Sequence, residues 1–364
     1  GTQVEQGGGG RGPGGVVGRG GPAAFAAQAV SDLAGALDVF LEKRGALRPL
    51  RPGFVLNPPD DEQRQLQRKL LGLTLNDTAV WEREDKLRDA TLDLLYSSPL
   101  AATPSGSNTR RALTPAPVLA LYNLLCFALD TLFKNRPIQR FHTLELVARM
   151  PYFAYISMLH LYETLGWWDE RGAAVRRVHA AEEWNEKSHL NIMIELGGDK
   201  FWFDRFLARH AAFFYYWALV LMWLASPRVA YNFSQLVETH AVLTYTQFLE
   251  ENEQLLRSLP APPAAAEYYL QQLFYFDEFQ TSQKPRARRP GVDNLYDVFV
   301  NIRDDEAEHV KTMVQCQLSD RAVRSPNDLA IAEEEADAAW GEQGAAGAPG
   351  GGPWPDELET AADE

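Results

Sequence analysis

Two Glu-x-x-His pairs occur in the chain, Glu186 with His189 and Glu306 with His309. Residues i and i+3 share one face of an α-helix, so each pair can offer a carboxylate and an imidazole to the same ion. One such pair means little, because Glu and His often neighbour each other on solvated helices. Two further glutamates, Glu145 in FHTLELVARM and Glu238 in FSQLVETHAVLTY, sit in stretches that are otherwise largely apolar. The resulting order of Glu, Glu-x-x-His, Glu, Glu-x-x-His is the donor inventory of a ferritin-like bundle that holds two metal ions. Leu144, Leu146 and Val147 crowd Glu145, and a buried carboxylate there requires a partner. Carboxylate and imidazole donors without thiolates suit iron or manganese better than zinc or copper, and oxygen chemistry favours iron.

The neighbours of these six residues extend the pattern. Asn185 and Asp305 each immediately precede a Glu-x-x-His pair, in NEKSH and DEAEH. Metal-bound histidines donate their second N–H to such groups, so both are candidate supports of the ligands. Tyr245 follows Glu238 by two helical turns on the same face, where a phenol could deliver an electron and a proton to activated oxygen. Thr244 beside it could face a substrate. His142, His160, His179, His210 and His240 have no acidic residue three positions before them, the Glu-x-x-His spacing, and are read as packing or surface histidines.

The elements that must position the six are helices. Between 117 and 318 there is little β alternation and no hairpin signal, so the fold class is all-α. The expectation is a ferritin-like four-helix bundle holding a di-iron centre, with additional membrane-surface helices. Apolar spacing predicts helices over 118–134, 139–164, 173–196, 201–224, 227–256, 264–275 and 293–316. Breaks are expected at Pro117, Gly166, Gly197 with Gly198, Pro227 and the prolines from Pro260 to Pro263.

Outside this core, 1–65 reads as a disordered Gly-rich leader with a short helix near 27–44 and a Pro-rich linker. Residues 66–116 read as a peripheral helix and loop, 117–318 as the metal-binding domain, and 319–364 as an acidic, Gly/Pro-rich tail. Gly10, Gly12 and Gly15 form a GxGxxG that no strand precedes, so low complexity explains it better than nucleotide binding.

A formal net charge of −14 with a pI near 5.1 argues against nucleic acid as a partner. Only Cys126 and Cys316 are present, which excludes a disulfide scaffold and a zinc ribbon. The apolar run from Ala211 to Ala225 reads as too short for a comfortable membrane span. A buried helix, or one lying in a membrane surface, is expected instead. The segments 118–134 and 201–224 offer wide apolar faces, with Lys134, Arg136, Arg205 and Arg209 placed to meet head groups.

The strings LELVARMPYFAYISMLHLYETLGWW, HAAEEWNEKSHLNIMIELGG and FDEFQTSQKPRARRPGVDNLYDVFVNIRDDEAEH resemble the plastid terminal oxidases of the alternative oxidase family over about 120–318. The resemblance implies a non-haem di-iron quinol oxidase, attached to one face of a membrane, that takes electrons from plastoquinol and reduces O2 to water. Its two iron ions would be held by Glu145, Glu186, His189, Glu238, Glu306 and His309, with Tyr245 as the redox-active tyrosine. Arg140, Leu144 and Thr244 occupy positions that line the quinol cavity in the family. The loop from Gln280 to Asn294 sits where plastid members carry an insertion.

Two departures, Leu146 where the family has Thr and Ser188 where it has His, bear on turnover and quinol fit rather than on the ligands. The resemblance further implies the stromal side of the thylakoid membrane as location, with chlororespiration and carotenoid desaturation as roles; a homodimer is also expected. The other readings are a desaturase-like or radical-generating di-iron enzyme and a non-catalytic iron-binding helical protein.

Overall fold

The computed structural model describes residues 22–46, 73, 114–134, 136–167, 170–284 and 286–317, with 323, 325–328, 330–332 and 334. The glycine-rich leader before Pro22, the expected peripheral helix within 66–116 apart from Leu73, and most of the acidic tail lie outside these residues. Among the described residues there are nine helices and no strand. They are α1 (Pro22–Lys43), α2 (Ala116–Leu132), α3 (Pro137–Thr164), α4 (Glu170–Glu195), α5 (Trp202–Ala225), α6 (Pro227–Arg257), α7 (Pro263–Gln271), α8 (Leu273–Glu278) and α9 (Leu295–Gln317). The all-α reading therefore holds.

Prolines mark where helices begin. Pro137, Pro227 and Pro263 are the first residues of α3, α6 and α7, where no intrahelical N–H is needed and the fixed φ already suits a helix. Pro151 lies inside α3, which continues through it while burying it. The α4–α5 turn relies on glycine: Gly197 has φ 82°, and a Cβ on Gly198 would stand 2.5 Å from the His142 Cβ. That close approach seats the turn against α3.

One expected helix is two. The segment over 264–275 divides at Gln272, whose backbone leaves helical conformation at φ −102°, ψ 44° while its side chain accepts from Trp184 Nε1 at 2.6 Å. Tyr268 and Tyr269 of α7 and Phe276 of α8 are all buried on either side of the break.

Four helices form the bundle, with α3 packed closely on α4 and α6 on α9. Two apolar clusters fix their directions. The first gathers Ile138 and Phe141 of α3, Ile192 and Met193 of α4, Phe248 and Leu256 of α6, and Phe299 and Ile302 of α9. The second gathers Tyr155 and Leu159 of α3, Val175 of α4, Phe233 and Val237 of α6, and Met313 of α9. Thus α3 and α9 run from the first cluster to the second, and α4 and α6 run back. Glu145, Glu186, Glu238 and Glu306 fall in the layer between the clusters.

Helix α5 flanks the bundle against α3 and α6. It buries a stripe of Ala208, Ala212, Tyr215, Leu219 and Trp223, at helical spacing. Helix α1 packs on α2 and α5, and its Asp38 accepts the Phe203 N–H at 3.1 Å, capping the start of α5 from another helix. A cap of this kind contributes about 1 kcal/mol.

Candidate metal centre

Each of the four bundle helices sends its expected donors to one buried layer: Glu145 from α3, Glu186 and His189 from α4, Glu238 from α6, Glu306 and His309 from α9. The donor atoms form two overlapping groups. Glu145, Glu186, His189 and Glu306 make one, Glu186, Glu238, Glu306 and His309 the other, with atoms in each group within 4.8 Å of one another. Glu186 and Glu306 belong to both, which is the placement a pair of bridging carboxylates requires. His189 Nδ1 stands 3.3 Å from Glu306 and 3.5 Å from Glu145, and His309 Nδ1 stands 3.0 Å from Glu186.

Most of the atoms that these groups turn toward one another have no hydrogen bond. Both oxygens of Glu186 and of Glu306, one oxygen each of Glu145 and Glu238, and Nδ1 of both histidines are buried and unbonded. An unsatisfied buried polar group costs about 1–3 kcal/mol, and more when charged. Burial, followed by the charges of Glu306 and Glu145, pushes the Glu186 carboxyl well above the ordinary range. Burial with Glu306 and Glu186 does the same to Glu238. Burial alone would lower His309, but Glu306, Glu182 and Glu238 instead raise it to about 9. Four carboxylates in one dry layer call for cations, and a pair of divalent ions between the two groups satisfies every unbonded atom named here.

The supporting residues are distributed unevenly. His189 Nε2 lies 3.0 Å from Asp305 Oδ2, which also accepts from Asn185 at 2.9 Å and Tyr269 at 2.9 Å. Arg288, delivered by the loop over 280–294, pairs with the other Asp305 oxygen. Burial would raise the Asp305 carboxyl, yet the Arg288 guanidinium and His189 hold it below the usual range. Asn185 and Asp305 thus both converge on His189. His309 Nε2 has no hydrogen bond, so the adjacency that singled out these two residues served only one histidine.

Tyr245 donates to Glu145, a carboxylate of the facing helix rather than of its own. Its mirror, Tyr152 of α3, donates to Glu238 of α6 at 2.9 Å. Tyr152 went unnoticed in the sequence although the same rule finds it, because it follows Glu145 by seven residues just as Tyr245 follows Glu238. Arg140, Leu144 and Thr244 are all buried. Arg140 pairs with Asp130 at 2.8 Å and lies 3.3 Å from His240 Nε2, so His240 faces the same helix face as Arg140. The Thr244 hydroxyl donates to the His240 carbonyl at 2.8 Å. Ser188 bonds back to the Trp184 carbonyl at 2.9 Å, and Leu146 packs on the second apolar cluster.

None of the remaining histidines joins either donor group. His142 is lowered to about 4 by burial and then by Arg205 and Arg209, so it stays neutral. His179 sits between Glu182 and Tyr231 in a buried network. Arg136 and Arg205, expected at head groups, are half-buried and engaged within the protein. Arg136 pairs with Asp204 at 2.8 Å, and Arg205 donates to the carbonyls of Asp199 and Lys200 at 2.6 and 3.0 Å.

The chain is 55% identical over 202 residues to ubiquinol oxidase 4, chloroplastic/chromoplastic, of Arabidopsis thaliana, covering 55% of this chain and 57% of that protein. It is 30% identical over 187 residues to ubiquinol oxidase 2, mitochondrial, of Glycine max, covering 51% and 50%. A third relative, ubiquinol oxidase 1a, mitochondrial, of rice, Oryza sativa subsp. japonica, is 30% identical over 186 residues, covering 51% and 50%. The chain spans about half the length of the curated relatives it matches. No solved structure matches it. The sequence profile of the family described as alternative oxidase matches residues 108–318, a span that contains all six donors and both tyrosines. The chain belongs to the alternative oxidase family.

Proposed function

We propose that this chain is a plastoquinol:oxygen oxidoreductase that holds two iron ions between Glu145, Glu186, His189, Glu238, Glu306 and His309. The observation that carries the proposal is the pair of overlapping donor groups, buried, unbonded and sharing Glu186 and Glu306. When bound, the iron pair supplies the electron-transfer chemistry by which O2 becomes water, with two quinols giving four electrons. The residues do the rest. The two apolar clusters above and below the donor layer exclude water from it. Burial and then Glu145 raise the Tyr245 phenol, so it keeps its proton at neutral pH and can release it to Glu145 only as it loses an electron. Arg140 and Leu144 on α3 and Thr244 on α6 bind the quinol head one residue or one turn from Glu145 and Tyr245.

A lipid-soluble substrate requires contact with a membrane. Helix α5 is the one among the described residues long and apolar enough, by length and composition, to cross one, because it extends 24 residues from Trp202 rather than only over the run from Ala211. Its packed stripe ties it to α3 and α6, and those helices carry the charged donor layer, so a crossing would drag that layer into lipid. Its opposite face exposes Phe213, Phe214, Trp217, Leu221 and Leu224, and α1 adds Phe25, Leu33 and Phe40. This face lies in the membrane surface without crossing, on the stromal side of the thylakoid. The chloroplastic name of the Arabidopsis relative supports a plastid location. Relief of an over-reduced quinone pool and carotenoid desaturation are the roles such an oxidase serves, and a homodimer is its expected assembly.

The test is substitution of Glu186→Ala in purified protein, which should remove iron and quinol-dependent oxygen uptake together. Full activity in that variant would sink the assignment. Release of the native protein from membranes by high salt without detergent would overturn the embedded face.

A further inference from the structure

Beyond Tyr152, oxidisable aromatic side chains continue to the protein surface. The Tyr152 ring lies 5.3 Å from His309 and 6.1 Å from His179. His179 lies 5.6 Å from Tyr231, and Tyr231 lies 5.2 Å from Trp223. Trp223 is 6.5 Å from Tyr162, which is 5.8 Å from Trp167. These separations are those of rings in contact. Tyr152, Tyr231 and Trp223 are buried, whereas Trp167 is 70% exposed. At about 1.5 Å per residue, Tyr162 stands roughly 30 Å along α3 from Arg140, at the far end from the quinol positions.

The other tyrosine at the centre is enclosed differently. Tyr245 stacks on Phe141 at 4.3 Å and lies 6.0 Å from Phe299, and Phe248 stands within 5.1 Å of both phenylalanines. Phenylalanine has neither a phenol nor an indole from which an electron is readily removed. An oxidising equivalent on Tyr245 is therefore kept beside the centre, and one on Tyr152 has neighbours to which it can pass.

Passage through a buried tyrosine requires somewhere for its proton. Tyr152 has Glu238 at 2.9 Å. The Tyr231 hydroxyl is 3.0 Å from His179 Nε2, and His179 Nδ1 is 2.6 Å from Glu182 Oε2. The carboxylate takes Nδ1–H, which leaves the Nε2 lone pair to accept the phenol. Tyr231 can lose an electron, leave its proton on His179 and recover both, without any proton reaching solvent.

We propose that Tyr152, Tyr231, Trp223, Tyr162 and Trp167 form a discharge path that draws oxidising equivalents from the metal centre to the surface when quinol is lacking. The proposal rests on the di-iron reading above. At Trp167 a soluble reductant of the thiol or enediol class gives one electron and releases one proton. The electron moves inward ring by ring, each ring being oxidised and then re-reduced, and the centre is reduced by one electron. No protein side chain is consumed.

The test uses the full chain after metal analysis has established its iron content. Reduced protein is exposed to O2 without quinol in the presence of a nitroso spin trap, and the adduct is mapped by peptide mass spectrometry. The expected result is an adduct at Trp167 or Tyr162 that excess ascorbate suppresses. In Tyr231→Phe, which keeps the ring but not the proton transfer, that adduct falls at least tenfold and oxidation appears near Tyr152 instead. Trp167→Phe, a change on the surface, moves the adduct to Tyr162. An unchanged adduct at Trp167 in Tyr231→Phe overturns the path, as does an iron-loaded, oxygen-consuming wild type that labels nowhere along it. A wild type without iron overturns the di-iron reading itself, and the path with it.

Discussion

The two halves of the candidate centre have the same donors and different surroundings. His189 is held through Asp305 by Asn185, Tyr269 and Arg288, and the tyrosine on its side, Tyr245, is walled by phenylalanine. His309 has no hydrogen bond at Nε2, and the tyrosine on its side, Tyr152, opens onto Tyr231 and Trp223 through His179. A ligand set repeated along a sequence thus gives a symmetric metal layer in an asymmetric protein. Under the proposed function, productive electron transfer belongs to the anchored, insulated half, and the other half is free to adjust and to discharge.

The sharpest way to break this comparison is to remove the two phenols in turn. Tyr245→Phe should lower quinol-dependent oxygen uptake on the order of a hundredfold, the scale of a lost proton donor, with iron content unchanged. Tyr152→Phe should stay within about threefold of wild type by the same assay. Equal losses in the two variants would erase the functional difference between the halves.

The supports give the next largest contrast. Asp305→Ala should weaken iron binding by roughly 10- to 100-fold in a competition titration, because His189 loses the carboxylate that orients it. Glu182→Ala should change it by less than about threefold, since the His309 Nε2 makes no hydrogen bond to lose. A comparable weakening in both would show that Glu182 supports His309 once metal is bound.

Protons compete with metal at this centre, and the direction follows from the shifts. With His309 raised to about 9 the metal-free site holds a proton at neutral pH that binding must expel, and the upward shifts of Glu186 and Glu238 act in the same direction. Iron affinity should therefore rise with pH between 6 and 8, by about tenfold per unit for each proton released. A flat profile would mean that the donors are already deprotonated. The smallest effect on catalysis is expected at the surface. Phe214→Glu and Leu221→Glu on α5 should reduce binding to anionic vesicles while leaving oxygen uptake with a short-chain, water-soluble quinol unchanged. Loss of that soluble activity would place the two residues inside the fold's machinery rather than on its membrane face.

The bundle and its donor layer were legible because both rest on periodic signals. Helical spacing located α2 to α6 and α9 to within a few residues, and the i, i+3 rule paired Glu186 with His189 and Glu306 with His309. What was not legible depends on contacts between residues distant in sequence. The break at Gln272 has no glycine or proline to announce it and coincides with the contact its side chain makes to Trp184, 88 residues away. Nothing in NEKSH or DEAEH says that Asn185 and Asp305 meet at the same histidine, because that depends on how α4 and α9 are rotated in the bundle. His179 is polar and lacks a neighbour at ligand spacing, yet Glu182 three residues on and Tyr231 on another helix give it a defined buried place. Tyr152 differs from these cases, since the rule that identified Tyr245 reaches it without any structure.

The most direct test of the central claim is the iron content of the purified chain, counted by native mass spectrometry alongside elemental analysis. The account predicts two irons per chain in the wild type and their loss when the shared carboxylates are replaced together in Glu186→Ala, Glu306→Ala. One iron, a different metal at full occupancy, or two irons retained by that double variant would contradict it.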